Sequence, residues 1–311
     1  MIPTKLDWST LRGRLETLFL ASFGRPVDSG YLDWRYVDND REKLLFSIEM
    51  LDELLVASYS AFPVQLVSNG KFYEVSISMT TMTHPDWQGR GLFRKLAAEL
   101  YLEAEALQIA AVFGFPNASS HPIFNEKLGW SDIYEIPTMV FHVQEAGNAN
   151  LSLSPEVRRD DRFLFGYPDP PADRLIRVNR SRDYLLWRYA KNPINTYQNY
   201  VLLRNGSVSS YIITKLYGEG VDLVDIQALN PEEAGILLRH IAKESFDQGT
   251  SRLSCWAPTH HFIHAVLERI GFENEVPVTY FGGRDLMPSA VPPDWLNYKN
   301  WYVQMGDSDV Y

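Results

Sequence analysis

The string Tyr31-Leu32-Asp33-Trp34-Arg35-Tyr36-Val37-Asp38-Asn39 returns later in the chain as Tyr184-Leu185-Leu186-Trp187-Arg188-Tyr189-Ala190-Lys191-Asn192. Two further echoes keep the same order. Glu126-Lys127-Leu128-Gly129-Trp130 returns as Glu268-Arg269-Ile270-Gly271-Phe272, and Glu135-Ile136-Pro137 through Phe141 as Glu275-Val276-Pro277 through Phe281. Ordered repetition at this scale means one supersecondary unit built twice. It predicts two related α/β units of about 110–140 residues each, within the usual domain size. The 311 residues suffice for two such units, and 45% hydrophobic and 13% aromatic content supports packed cores rather than disorder. The expected division is a first unit over 1–145, a linker over 146–172 and a second unit over 173–311. The linker ends Tyr167-Pro168-Asp169-Pro170-Pro171 and reads as stiff by its prolines.

Within the first copy, Glu74-Val75-Ser76-Ile77-Ser78-Met79 reads as a strand, which Pro85 closes because proline offers no N–H to a ladder. Gly89 and Gly91 let the backbone turn tightly. Phe93, Leu96, Ala97, Leu100, Ala104 and Leu107 then recur at helical spacing. Unpaired amides and the positive end of the helix dipole make such a turn a receptor for a pyrophosphate. A P-loop needs Gly-Lys-Ser/Thr four residues after a glycine, and the chain has none. A dinucleotide fingerprint needs a third glycine where Arg94 stands.

What remains, Gln88-x-x-Gly91-x-Phe93, resembles the acyl-CoA pyrophosphate loop of the GNAT acetyltransferases, which reads Gln/Arg-x-x-Gly-x-Gly/Ala. Phe93 departs from it, standing where a small residue is usual. Downstream of the buried-strand run Ile109–Phe115, Asn117-Ala118-Ser119-Ser120-His121-Pro122-Ile123-Phe124-Asn125-Glu126-Lys127-Leu128-Gly129-Trp130 is similar to the second signature of that family. The resemblance implies acetyl-CoA or another acyl-CoA as co-substrate. Backbone groups of Thr81, Met82 and Thr83, on the strand Thr80–Thr83, would meet the thioester. Gln88, Gly89, Arg90, Gly91, Leu92, Phe93 and Arg94 would hold the pyrophosphate, and Asn117, Ser120 and Phe124 would line the pantetheine arm. Asn117 is also placed to cap the following helix. Many members carry a Tyr that protonates the leaving thiolate. That slot is assigned to Phe124, so either another hydroxyl serves or the thiolate, of a thiol with pKa about 8.5, leaves unassisted. The implied fold class is α/β (an α+β mixed sheet): two tandem GNAT folds, each a twisted sheet splayed between central strands to admit the acyl arm. The strand Leu54–Ser60 and the turn Ser68-Asn69-Gly70-Lys71 fit this layout.

The second copy reads as degenerate. Pro231-Glu232-Glu233-Ala234-Gly235 replaces Pro85-Asp86-Trp87-Gln88-Gly89, setting carboxylates where phosphates would sit. One CoA site is expected, in the first unit, with the second unit contributing to the acceptor pocket. Catalytic candidates are Glu74, also readable as a surface carboxylate, and His84, also readable as the closure of the strand–loop turn. Asp307, Asp309 and the carboxylate of Tyr311 join them, since the terminal carboxylate enters the active site in some duplicated GNAT enzymes. The Trp-Arg-Tyr repeats read as structural, and His260, His261 and His264 as surface residues; no metal ligand set is evident.

A net charge of −10 argues against a nucleic-acid partner. The lone Cys255 fits a reducing cytoplasm. Residues 1–24, with Lys5, Asp7, Arg12, Arg14 and Glu16, read as an amphipathic helix rather than a signal peptide or membrane span. The acceptor implied by the resemblance is a small-molecule primary amine. A nucleotide-linked amino sugar of bacterial surface-polysaccharide pathways stands beside an aminoglycoside, a polyamine or a peptide amine. A nucleotide would call for arginines such as Arg35, Arg177, Arg180, Arg182 and Arg188 at the cleft. A non-catalytic acyl-CoA-binding protein is the alternative of another class.

Overall fold

The two-residue turn Asn69-Gly70 has φ of 50° and 68°, the left-handed geometry that matches strand twist in a tight hairpin. It joins β2 (Leu54–Ser68) to β3 (Lys71–Thr83) with Ser68 opposite Lys71. The computed structural model describes residues 7–39, 45–147, 150–169 and 171–311. Met1 to Leu6, including Lys5 of the expected first helix, and Pro170 of the expected linker lie outside the described residues.

The chain forms two compact units, Met1–Tyr134 with Tyr280–Leu296, and Glu135–Thr279 with Asn297–Tyr311. These follow the two copies in outline but not the order of the chain. The first unit opens with α1 (Trp8–Phe23), capped by Asp7, whose carboxylate accepts from the Thr10 amide at 3.0 Å. Leu11, Leu15 and Leu18 form its buried face. Asp28 caps α2 (Ser29–Tyr36), which carries the first Trp-Arg-Tyr string. Then come β1 (Leu45–Leu51), β2, β3, α3 (Leu92–Ala106), β4 (Ala111–Gly114), α4 (His121–Leu128) and the start of β5 (Ser131–His142). β1–β2 and β2–β3 are antiparallel and β3–β4 parallel, and Ala111–Gly114 of β4 pairs antiparallel with Gly282–Asp285. Leu96, Ala97, Leu100, Tyr101 and Ala104 of α3 pack with Tyr59, Phe124 and Trp130 to form the core.

The second unit repeats this plan. It holds the end of β5, α5 (Val143–Ala146), β6 (Val157–Arg159), β7 (Arg177–Val178) and α6 (Arg182–Leu185), which continues as a π-helical turn over Leu186–Ala190. β8 (Tyr197–Arg204), β9 (Ser207–Tyr217), β10 (Gly220–Gln227), α7 (Pro231–Asp247), β11 (Arg252–Cys255) and α8 (Phe262–Ile270) follow, and then β12 (Glu273–Asp285), which ends in the first unit. β8–β9 and β9–β10 are antiparallel, β10–β11 parallel and β11–β5 antiparallel, the same succession as β1-β2-β3-β4 and its closing strand. β6 adds an edge by pairing with β8, so the stretch expected as a linker carries a strand of this unit. Asp160, just after β6, fixes that stretch by accepting from the Leu164 amide at 2.8 Å and the Tyr167 hydroxyl at 2.8 Å.

Candidate functional site

β3 loses its regular ladder between Met79 and Met82. Ser60 lies opposite Met79 but Ser58 opposite Met82, so two residues, Thr80 and Thr81, face Tyr59 alone. Thr80 takes φ of 34°, an unusual value for a β-branched residue. Such a bulge turns main-chain groups out of the ladder. On the other edge, β3 pairs with β4 only at Ser76–Val112 and Ile77–Phe113, although β3 runs on to Thr83. The bulge therefore sits where the two parallel strands have parted, and polar main-chain groups there need partners from elsewhere.

Beyond the bulge the chain turns onto α3. The His84 amide donates to Val56 O at 2.9 Å. The His84 ring caps the 3-10 turn Pro85–Trp87, its Nδ1 accepting from the Asp86 amide at 3.3 Å. Gln88 Nε2 donates to Thr83 O at 3.4 Å, and Arg90 donates to Asp86 O at 3.1 Å while lying over the Trp87 ring at 4.2 Å. Gly89 and Gly91 take φ of 73° and 76°, which ordinary side chains rarely adopt. Gly91 is the N-cap of α3 and offers no side-chain oxygen, and the first turn holds no acidic residue. The opening amides of α3 thus face outward uncapped, with Arg90 and Arg94 exposed nearby and Lys95 bonded to Glu49 at 2.5 Å. This end of the helix is built to receive an anion.

Phe93 turns its ring into the packed face of α3, with centroids 5.4 Å from Tyr59 and 5.3 Å from Phe124. Phe124 in turn meets Trp130 at 4.5 Å and is buried, an apolar prop with no proton to give. Asn117 is exposed, and its Oδ1 accepts from the Ser119 and Ser120 amides, each at 3.0 Å, organising the turn into α4. Its Nδ2 faces outward with no partner among the described residues.

The catalytic candidates fall in different units. Glu74 stands six residues before Thr80, roughly 20 Å along an extended strand, and accepts from Gln65 Nε2 at 2.8 Å. Asp307, Asp309 and Tyr311 belong to the second unit. Asp307 is buried and ion-paired with Arg180 at 2.6 Å; burial raises its pKa, against the pull of that guanidinium. Of the histidines expected at the surface, His260 is exposed and bonds Trp301 O at 2.9 Å, His261 is half-buried and caps α8, and His264 is instead buried and bonds Ala257 O at 3.1 Å.

One residue escaped the sequence reading. The Tyr36 hydroxyl lies 3.3 Å from Ser60 Oγ, whose own hydroxyl donates to Met79 O, and it also meets the Thr80 side chain. It reaches the bulge from α2, and burial raises its pKa so that it stays a donor. The repeated Trp-Arg-Tyr string, read as structural, was the signal that could have found it.

Residues 15–133 match the family model of the acetyltransferase (GNAT) domain. No curated protein matches the sequence. A conserved protein from Enterococcus faecalis V583, described as a probable N-acyltransferase, superposes with a TM-score of 0.68 at 11% identity, covering 89% of this chain and 70% of its own. A GCN5-related N-acetyltransferase from Kribbella flavida gives 0.64 at 13%, covering 92% and 71%. A tandem GNAT protein from the clavulanic acid biosynthesis pathway gives 0.55 at 10%, covering 90% and 96%. The chain has the GNAT fold in tandem, and the stretch that matches the family model lies in its first copy.

Proposed function

We propose that this protein is an N-acyltransferase that moves an acyl group from acyl-CoA, held by the first unit, to a primary amine. One observation carries the reading: the uncapped amino end of α3, with its glycine turn and exposed arginines, directly follows a strand that is bulged and parted from its parallel neighbour. A pyrophosphate fits the helix end, and the amides of pantetheine fit the parted strands as partners for β3. The thioester carbonyl then lies at the bulge, where main-chain amides of Thr81 and Met82 stabilise the developing oxyanion. The acceptor attacks as a free amine, so the C–N bond forms as the C–S bond breaks and solvent takes the ammonium proton. Tyr36 supplies the hydroxyl for the departing thiolate that Phe124 lacks.

A nucleotide-linked amino sugar is the first acceptor to try, on the resemblance of the motifs and of the closing Gly306-Asp307-Ser308-Asp309-Val310-Tyr311. The arginines named for nucleotide recognition have internal partners. Arg177 bonds Asp173, Arg180 bonds Asp225 and Asp307, Arg182 donates to Phe163 O, and Arg188 donates to Tyr197 and Ser308 O. Recognition of a nucleotide therefore rests on other groups, and an uncharged or cationic amine has equal standing in the test. Purified protein with acetyl-CoA is incubated with UDP- and dTDP-linked amino sugars, an aminoglycoside, spermidine and a peptide amine, and thiol release is followed. Release with one class assigns the acceptor. Binding of acetyl-CoA without release to any amine would favour a non-catalytic acyl-CoA-binding protein.

A further inference from the structure

The second unit has its own parted strands. β10 pairs with parallel β11 at Gly220–Arg252, Val221–Leu253 and Asp222–Ser254 and then runs on to Gln227 without β11. Its ladder with β9 slips between Leu223 and Asp225, leaving Val224 as one extra residue, just as β3 carries one residue more than β2 where Thr80 and Thr81 face Tyr59. This cleft is filled. The Ile226 amide donates to Gln304 Oε1, and Ile226 O accepts from the Tyr302 hydroxyl at 2.7 Å. Both main-chain groups of Ile226 therefore point away from β9, into the gap where β11 no longer reaches.

The filling segment runs antiparallel to β10. Tyr302 and Gln304 meet Ile226, and Gln304 Nε2 reaches Asp225 Oδ1 at 3.2 Å. Gly306 then lies against the bulge: a Cβ there would come within 2.9 Å of Val224 O and would also collide with the Tyr189 hydroxyl. Further on, Val310 O accepts from Lys215, the register partner of Asp222. Arg188 holds Ser308 O at 3.0 Å and also the main-chain oxygen of Tyr311. Residues 301–308 are buried throughout.

We propose that the second unit keeps the acyl-arm cleft of its fold and that segment 302–311 of the same chain is its ligand, a polyamide with one 3-10 turn over Met305–Asp307 where the first unit takes pantetheine. This rests on the reading of the first unit's parted strands as the pantetheine site. The cleft's other end accepts no nucleotide. Asn230 caps α7 by accepting from the Glu233 amide at 2.9 Å, and Glu232 and Glu233 fill the first turn. Its ligand class is thus a phosphate-free polyamide with a hydrogen-bonding side chain, Gln304, and a glycine at the bulge.

The full chain is compared with a chain ending at Trp301, and a synthetic peptide of residues 302–311 is added to each. The truncated chain is expected to melt at lower temperature, to bind the peptide one to one and to recover its melting temperature, whereas the full chain binds no peptide. A Gly306→Val peptide is expected to fail. A truncated chain that melts unchanged and ignores the peptide overturns the proposal. Should truncation prevent folding, hydrogen exchange at the Ile226 amide in the full chain decides. Gln304→Ala and Gly306→Ala are expected to speed that exchange about tenfold with acetyl-CoA binding unchanged, and unaltered exchange overturns the proposal. Acetyl-CoA binding to the full chain is titrated alongside, so that failure of the first-unit reading shows there and not in the peptide measurements.

Discussion

At Gly91 the backbone turns through φ of 76° with no atom within 4 Å of where a Cβ would stand, so an alanine there meets torsional strain rather than collision. Left-handed strain of about 1 kcal/mol corresponds to roughly fivefold in affinity. Gly91→Ala is therefore expected to weaken acetyl-CoA severalfold by calorimetry while leaving pantetheine, which has no pyrophosphate, unchanged. Asn117 separates two roles within one side chain. Asn117→Asp keeps an oxygen for the Ser119 and Ser120 amides but loses the outward amide. It should hold the melting temperature yet weaken acyl-CoA, whereas Asn117→Ala should also lose about 1 kcal/mol of stability. Equal binding by the Asp variant and the parent would remove Asn117 from the ligand. For Tyr36→Phe, kcat should drop with the dissociation constant of acetyl-CoA unchanged. The glycine turn and Asn117 were legible because backbone torsions restrict residue choice locally. Tyr36 was not, since its partners Ser60 and Thr80 lie on strands whose register the sequence does not disclose.

Among the elements, α3 and α7 show how one helix start is left open and its counterpart is closed. Both follow the strand after a hairpin. α3 begins on Gly91 with no cap, whereas α7 begins on Asn230, and Glu233 is buried against Arg204, Ser209 and Ser210. The sequence revealed this contrast, because caps and first-turn charges are local signals. It did not reveal where the histidines go. His261 caps α8, lies tilted against the Tyr302 ring with centroids 4.2 Å apart, and has its pKa pushed down to about 3 by burial, with Arg177 adding to the shift. A histidine depressed on folding binds protons more readily unfolded, so its contribution is whole above pH 6.5 and is lost as pH falls toward 3. Thermal melts from pH 7.5 to 5 should show the parent losing stability faster than His261→Gln. Parallel curves would mean that His261 does not carry the effect.

At the scale of the molecule, duplication supplied two clefts, and their contents decide what each does. The three sequence echoes foretold the doubling, and the shared strand succession bears it out. They could not foretell that the units would not follow chain order. Nor could they show what fills the second cleft, because contacts distant in sequence leave no local pattern. With one open helix end and one closed one, the full chain should bind a single equivalent of acetyl-CoA. The charges of Glu232 and Glu233 were the expected reason, and the structure adds that charge is not the whole barrier. In a Glu232→Gln, Glu233→Gln variant, Asn230 still occupies the helix cap and the Tyr302–Tyr311 segment still fills the strands. Stoichiometry should remain one per chain. The melting temperature should fall, because Arg204 loses its buried carboxylate partner, at a cost of about 1–3 kcal/mol. Two equivalents in that variant would show that repulsion alone had closed the second site and that the segment yields its place to a cofactor.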